Sequence, residues 1–482
     1  MPLLTAGDDK AEARRLQRLA KQGRLRRIYS GIYTDDLAQP LDTVVRRELL
    51  TLCALIAPDA ILSHRSALEG SRTTAAGNVF LTGSQRRNFK LPGVTLRMAL
   101  GVGPLDSDIR VPTLNGDVYI ASQARALLEN LSESRGDVAE RRTVGAEGVE
   151  AWLDRFKSRD LGDGINKLRD AARAVAEPLG LQKEFTRLDA IIGTLLGTRT
   201  SRLNAPAAMA RAAGRPYDDA RVALFQTLAE ELQRDALQVP DVDSQADSNL
   251  QAFVETYFSN YIEGTEFELE EAHDIVVNGR PLQYREDDSH DILGTYQAIL
   301  KSKSDPSVPQ DFVAFVTQLR EWNARVIESR HAKNPGEFKI QINRAGNTVF
   351  VAPELVIGTL GKGYEIIMSA VTPANRAALA AFVVAEVHPF ADGNGRTARL
   401  AMNLFLTGAG LTRIIIPTVY RDDYISALKA MSNTAHPVPL VRMLARAAKF
   451  SRWIDFSSQS AAFAALKQSK ALERAEVARL VF

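Results

Sequence analysis

The sequence predicts a mainly α, multidomain protein, and three observations carry that prediction. With 482 residues the chain has room for about two to four domains with cores of their own. Apolar residues recur at helical spacing through most of the second half, as at Leu250, Phe253, Val254, Tyr257, Phe258, Tyr261 and Ile262. Period-two alternation is confined to the stretch before residue 125 and to residues 338–351. The plan is therefore an α/β region over 1–125, a helical region over 126–237, a polar linker at 238–249, a helical domain over 250–455 and a helical tail at 456–482.

Composition narrows the class. A 45% hydrophobic and 24% charged chain is ordinary for a soluble globular protein. The single cysteine, Cys53, allows no internal disulfide and lies in an apolar run, which points to core packing and a reducing, cytoplasmic setting. The N-terminus lacks an apolar secretory segment after a basic one, and no long uncharged apolar stretch follows, so neither export by that route nor a membrane span is expected. The net charge of +2 hides an asymmetry. Lys10 to Arg27 is basic, whereas Asp241 to Asp291 is rich in acids that read mostly as a solvated face.

Residues 10–22 read as a short basic helix with Leu16, Leu19 and Ala20 inward, stopped by Gly23. The strand formers of Arg24 to Tyr33 turn at Ser30-Gly31 and give a basic hairpin behind it. Such a helix and wing carrying Arg24, Arg26 and Arg27 suits a phosphate backbone, so DNA is a candidate partner. Together with Ser63-His64-Arg65-Ser66-Ala67-Leu68, this stretch resembles the N-terminal part of the AbiEi-type antitoxins and related winged-helix regulators. The chain starts too late to supply a complete helix-turn-helix before the wing, and His64 reads equally well as a capping or packing residue. Alternation at Val79 and Leu81, Val94, Leu96 and Met98, and across the Asn115-Gly116 turn predicts a small antiparallel sheet. Ser122 caps a helix through Leu131, and residues 137–235 are mostly helical with no catalytic constellation.

In the second half, Phe338 to Asn343 and Thr348 to Val351 alternate about the turn Arg344-Ala345-Gly346-Asn347, a hairpin signal. Thr372-Pro373 then starts a helix that stops near His388-Pro389. The loop His388-Pro389-Phe390-Ala391-Asp392-Gly393-Asn394-Gly395 leads into a helix on which Arg396, Arg399 and Asn403 share a face. The backbone N–H groups of Gly393, Asn394 and Gly395, with those of the helix start, can point at phosphate oxygens. Arg396 can fork onto the phosphates nearest the turn, and Arg399, one turn on, can hold the terminal one. Asp392 is a hard oxygen ligand for Mg2+ carried by a nucleotide. His388 has no nucleotide role and is placed to take a proton from an attacking hydroxyl. These parts read as nucleotide transfer onto an alcohol.

His-x-Phe-x-Asp-Gly-Asn-Gly-Arg-x-x-Arg, met here from His388 to Arg399, resembles the signature of the Fic domain family at every defined position. That resemblance implies a helical Fic domain with a β-hairpin flap at 338–351, and transfer of AMP from ATP to a Ser, Thr or Tyr hydroxyl of a protein. It implies His388 as general base, Asp392 on the metal, Gly393 to Gly395 as the anion hole, Arg396 and Arg399 on phosphates, and Phe390 as a buried anchor. The phosphorylating, Doc-like branch carries Lys where this chain has Gly395, which argues against that reaction. Ser259-Asn260-Tyr261-Ile262-Glu263-Gly264 resembles the family's inhibitory motif, in which the glutamate pairs with the second motif arginine, here Arg399. Glu263 is then a brake, or alternatively a group that positions water for removal of AMP. Tyr424 lies where the family contacts adenosine, and packing accounts for it equally. The resulting expectation is an autoinhibited protein adenylyltransferase acting on an unknown target protein or on itself. A DNA-binding regulator with a silent or self-modifying Fic domain is the alternative from another class, and use of another nucleotide is the alternative within the enzymes.

Overall fold

The computed structural model describes residues 3–7, 9–160, 162–243, 246–346 and 348–482. Asp8, the linker residues Ser244 and Gln245, and the turn residue Asn347 lie outside the described residues. Contacts divide the chain into two compact units, residues 1–213 and 214–482.

The first unit opens with a helix at Lys10–Lys21, whose first amides are capped by Asp9 Oδ1 at 2.8 and 3.2 Å. Leu16 is its buried residue, and Gly23 takes the left-handed φ of +72° that ends it. Arg26–Tyr29 and Ile32–Thr34 pair across Ser30-Gly31, and Leu4–Thr5 adds a third strand. Two of the three arginines assigned to this wing are held by backbone: Arg26 donates to the carbonyls of Asp36 and Gln39, and Arg27 to that of Tyr29.

The sheet that follows is mixed, not antiparallel. Its six strands run in the order Arg87–Leu91, Val94–Leu100, Asn78–Gly83, Ile61–Leu62, Gly116–Ile120, Ile109–Thr113. Asn78–Gly83 lies parallel to Val94–Leu100, and Ile61–Leu62 parallel to Gly116–Ile120. The chain leaves Asn78–Gly83 for the sheet edge and returns by a hairpin, and two reversals restore the original direction. Alternation records only which face is buried, so it does not distinguish the two directions. Val79, Leu81 and Leu96 are fully buried in the core beneath, as is Cys53, whose thiol burial pushes up to about 12. His64 is packed as well: its Nδ1 meets Ser63 Oγ at 2.9 Å, and burial holds the imidazole down at about 4. Ser122 caps the helix Gln123–Leu131, and four further helices complete the unit from Gly145 to Ala212.

The second unit is helical. Its centre is the antiparallel pair Pro373–Val387 and Asn394–Thr407, in which nearly every residue is buried. Asp219–Arg234 and Val356–Ser369 pack on the first of these, with the Phe225 ring edge-on to Phe382 at 6.0 Å. The segment 238–249 belongs to this unit and is no linker between the two: Val242 donates to Gly410 O, and Thr412 donates to Pro240 O at 2.8 Å. Its polar side chains help hold it there, Asp243 pairing with Arg452 at 3.0 Å and Asp247 capping the next helix. The tail holds a helix at Gln459–Gln468 with Phe463 and Leu466 buried.

Candidate active site

The motif loop is fixed by its neighbours before any ligand is considered. Thr372 Oγ1 caps the helix Pro373–Val387 by accepting from Asn375 at 3.1 Å, and Pro373 fills the first position, where no N–H is needed. His388 ends that helix in the left-handed region at φ +53°, a conformation non-glycine residues hold at a cost of about 1–2 kcal/mol. Phe390 is fully buried with its ring 5.4 Å from Phe338. Asn394 accepts from Phe390 N and donates to Phe390 O, each at 2.9 Å, so its side chain staples the loop to the next helix. Asn343 donates to Phe390 O and Asn323 to Asp392 O, both at 2.8 Å. Gly393, at φ +73°, starts the second helix, and a Cβ there would lie 2.9 Å from Ile327 Cγ2.

At this turn the first-turn amides of Asn394, Gly395 and Arg396 have no intrahelical acceptor. The Gly393 amide is taken by Asp392 Oδ1 at 2.7 Å. The two motif arginines differ. Arg396 is buried, with Nη1 2.8 Å from Asp291 and 3.1 Å from Asn260 Oδ1. Arg399 faces a cavity of about 230 Å³ that His388, Glu263, Gly395 and Tyr424 also line. Its Nε donates to Ser259 Oγ at 3.0 Å, and its Nη2 donates to Ser259 O and to Glu263 Oε1, both at 2.8 Å.

Glu263 follows the last residue of the helix Ser248–Ile262. Its Oε1 would be 2.0 Å from a Cβ on Gly395, so glycine there is what admits the carboxylate. Burial pushes this carboxyl up, but the Arg399 and Arg396 charges outweigh it and hold the group below the usual range. Tyr424 is buried beside Arg399, and burial raises its phenol.

His388 is stacked on Phe350, ring centroids 3.8 Å apart and planes within 10°. Its Nδ1 lies 3.3 Å from Ala385 O, which only accepts, so Nδ1 carries the hydrogen and Nε2 keeps a free lone pair. Burial lowers the imidazole to about 4 against the opposing pull of that hydrogen bond, with Lys339 adding to the lowering. The ring is neutral at pH 7 and ready to accept a proton.

The flap hairpin is shorter than its sequence pattern. Among the described residues only Arg344–Ala345 and Thr348–Val349 pair, with Phe350 N donating to Asn343 O as one further rung. The arm before it attaches to the motif loop instead: Phe338 bridges Phe390, and Lys339 N donates to Pro389 O at 2.9 Å. Lys339 Nζ, buried and lowered to about 7 by burial, donates to Asn343 Oδ1 at 2.7 Å. Among the described residues no group of three or more His, Cys, Asp or Glu could hold a metal ion. A single carboxylate such as Asp392 suits Mg2+ that arrives with most of its ligands from phosphate and water.

Residues 315–406 match the model of the Fic/DOC family. The chain carries a Fic domain. Its relatives include protein adenylyltransferase Fic of Drosophila virilis, 32% identical over 200 residues, which are 40% of each chain. Protein adenylyltransferase fic-1 of Caenorhabditis briggsae is 27% identical over 199 residues, 40% of this chain and 39% of that one. The chain thus spans about two fifths of the length of these curated relatives. Among solved structures, a segment of Fic-1 from C. elegans superposes with a TM-score of 0.37 at 20% identity, covering 67% of this chain and 98% of that one. The family match lies within the second unit, and the likeness of the first unit to antitoxin regulators gains no support from it.

The structure thus gathers His388, Gly395, Arg399, Tyr424, Ser259 and Glu263 around one cavity or its arginine. Gly393, Asn394, Asp392 and Arg396 build the loop and do not line that cavity. Sequence reasoning missed Asp291, which lies at the end of the acid-rich stretch yet is buried between Arg396 and Arg330 at 2.8 Å from each. It also missed Asn323, Asn343 and Phe350, whose partners are distant in sequence and leave no local signal.

Proposed function

We propose that the Fic domain transfers AMP from Mg-ATP to a Ser, Thr or Tyr hydroxyl of a protein, and that Glu263 restrains it. The observation that carries this reading is the placement of the Glu263 carboxylate on both Arg399 and the Gly395 backbone, in the cavity that holds the neutral His388. Support for the chemistry comes from relatives named protein adenylyltransferases.

In this reading the phosphates sit on the amides of Asn394, Gly395 and Arg396 and against the Arg399 guanidinium. Mg2+ enters as part of the substrate, with Asp392 as its protein ligand. Arg396, tied to Asp291, contributes a fixed charge beneath the loop and holds the loop in shape. His388 Nε2 takes the hydroxyl proton as the oxygen attacks the α-phosphorus. The new P–O bond forms, the bond to the β-phosphate oxygen breaks, and pyrophosphate leaves.

The brake is electrostatic and steric. A carboxylate at 2.8 Å neutralises Arg399 and occupies the surface of Gly395, where a phosphate oxygen would lie. Nucleotide that enters beside it has its phosphates displaced from in-line geometry, and misplacement by about 1 Å costs on the order of 10²-fold in rate.

Incorporation of label from α-labelled ATP into protein tests this directly, comparing wild type, Glu263→Gly, and Glu263→Gly with His388→Ala. The single variant should label itself or a lysate protein far more than wild type, and the double variant should not. Equal inactivity of all three would overturn the reading.

A further inference from the structure

Two residues before His388, the helix Pro373–Val387 places a carboxylate that no step of the transfer uses. Glu386 is buried yet contributes to the cavity wall together with Ala385, Ile425, Leu428 and Ser432. Its Oε1 pairs with the Arg221 guanidinium from the helix Asp219–Arg234, and its Oε2 accepts from the Ser432 hydroxyl of the helix Arg421–Thr434. Arg221 also donates through Nη2 to Val349 O of the flap at 2.6 Å, so one guanidinium joins the carboxylate to the hairpin. Burial pushes Glu386 up, with Arg221 and Ser432 pulling against it.

A buried ion pair is an expensive way to close an apolar wall, since well-packed hydrophobic residues of similar volume are often neutral or stabilising there. The site therefore retains a charge for which packing alone gives no reason. Chemistry supplies one. With the phosphates at Gly395 and Arg399, the remaining wall is left for the nucleoside, and its apolar residues suit the faces of a base. A carboxylate offers about four lone-pair positions, of which Arg221 and Ser432 take two, and it can only accept. Any base edge turned to it must donate.

We infer that Glu386 is the specificity-determining residue for the base, accepting a hydrogen bond from the exocyclic 6-amino group of adenine, with Arg221 as its positioning residue. This rests on the adenylyl-transfer reading and deepens it. A 6-oxo purine sets an acceptor against the carboxylate, leaves both unpaired and is rejected, because a site built to hydrogen-bond one group discriminates strongly against the analogue lacking it. Inosine triphosphate differs from ATP at that edge and is the matched probe.

The experiment is equilibrium binding by calorimetry of Mg-ATP and Mg-ITP to the full chain carrying Glu263→Gly, without and with Glu386→Gln. The parent should prefer ATP by about tenfold or more, and Glu386→Gln should bring the ratio toward one, because an amide can donate to the oxo group as well as accept from the amine. Glu386→Gln leaves the buried Arg221 charge unpaired, so the double variant Arg221→Gln, Glu386→Gln removes both charges together and should lose the preference in the same way. A ratio that survives in either folded variant overturns the inference alone, as does a parent that binds both nucleotides equally. A parent that binds neither overturns the inference and the adenylyl-transfer reading together.

Discussion

Between His388 and Asn394 most of the polar side chains serve to hold backbone, whereas the hairpin facing them, among the described residues, pairs through two residue pairs and one further rung, lining the cavity with Ala345, Thr348 and Phe350 while Arg344 and Val349 stay exposed. Asn394, Asn343 and Asn323 each bind a loop carbonyl, and Phe390 is fully buried. Across the cavity, Val349 is exposed, and Ile340 on the approach to the hairpin is 81% exposed. The hairpin's ties to its surroundings include the Phe350 stack on His388 and the Arg221 bond to Val349 O. The proposed adenylyl transfer, which would align three phosphates and accept a polypeptide of its own shape, would use this division. The loop is preorganised, and in that proposal the hairpin would leave backbone groups and apolar side chains for an extended segment.

The largest effect tests the fixed side. In the Glu263→Gly chain, His388→Ala should lower AMP incorporation by about 10²–10⁴-fold, the range general base catalysis supplies, with ATP affinity little changed. A comparable loss of ATP affinity would place His388 in binding instead. Next, Asn394→Ala should cost about 2–3 kcal/mol in urea unfolding of the second unit, because Phe390 N is left buried without an acceptor. A loss below about 0.5 kcal/mol would mean that the loop holds its shape without the staple.

The same contrast decides what could be read from sequence. The motif from His388 to Arg399 was legible because its members lie within one loop and two helix turns, and Thr372-Pro373 announced the helix before it. The pairing of Ser259 and Glu263 with Arg399 was legible for the same local reason, although Arg399 is far along the chain. Asp291 was not. Among neighbouring acids it looked solvated, and only the fold brings it to Arg396. The hairpin was overextended from alternation, since Phe338 and Ile340 keep that pattern while Phe338 pairs with Phe390 rather than with the second arm. In the first unit, alternation marked the strands but left open their directions. The segment 238–249 reads as a linker because its anchors, main-chain bonds and the Asp243–Arg452 pair, join residues far apart in sequence and leave no local signal.

A smaller effect joins the two sides. Because burial holds His388 at about 4, its proton-accepting form is lost only as pH falls through that value, so the acid limb of incorporation should lie near pH 4 rather than near the 6.5 of a free imidazole. The linked stability follows the same sign. In the unfolded chain the ring takes its proton near 6.5, so the stability gained by keeping it neutral is present above 6.5 and is lost as pH falls toward about 4. Phe350 covers one face of the ring. Phe350→Ala should admit water, raise the imidazole toward 6.5 and move the acid limb upward, read from single-turnover rates between pH 4 and 8. An unmoved limb would assign the desolvation to the loop alone.

The smallest effect on stability belongs to Ile340. Its side chain has little folded contact to lose, so Ile340→Ser should change the unfolding free energy by less than about 0.5 kcal/mol. If the outward face of this arm receives a target segment, the apolar side chain contributes where the folded protein alone does not use it. Ile340→Ser in the Glu263→Gly chain should then raise KM for the protein acceptor several-fold while KM for ATP and the rate at saturating acceptor stay unchanged. Equal KM values in both chains would confine recognition to main-chain pairing along Arg344–Ala345 and Thr348–Val349. A fall in the rate at saturation would tie the arm to the loop through Phe338 and Lys339, making the two sides one rigid body and removing the contrast between them.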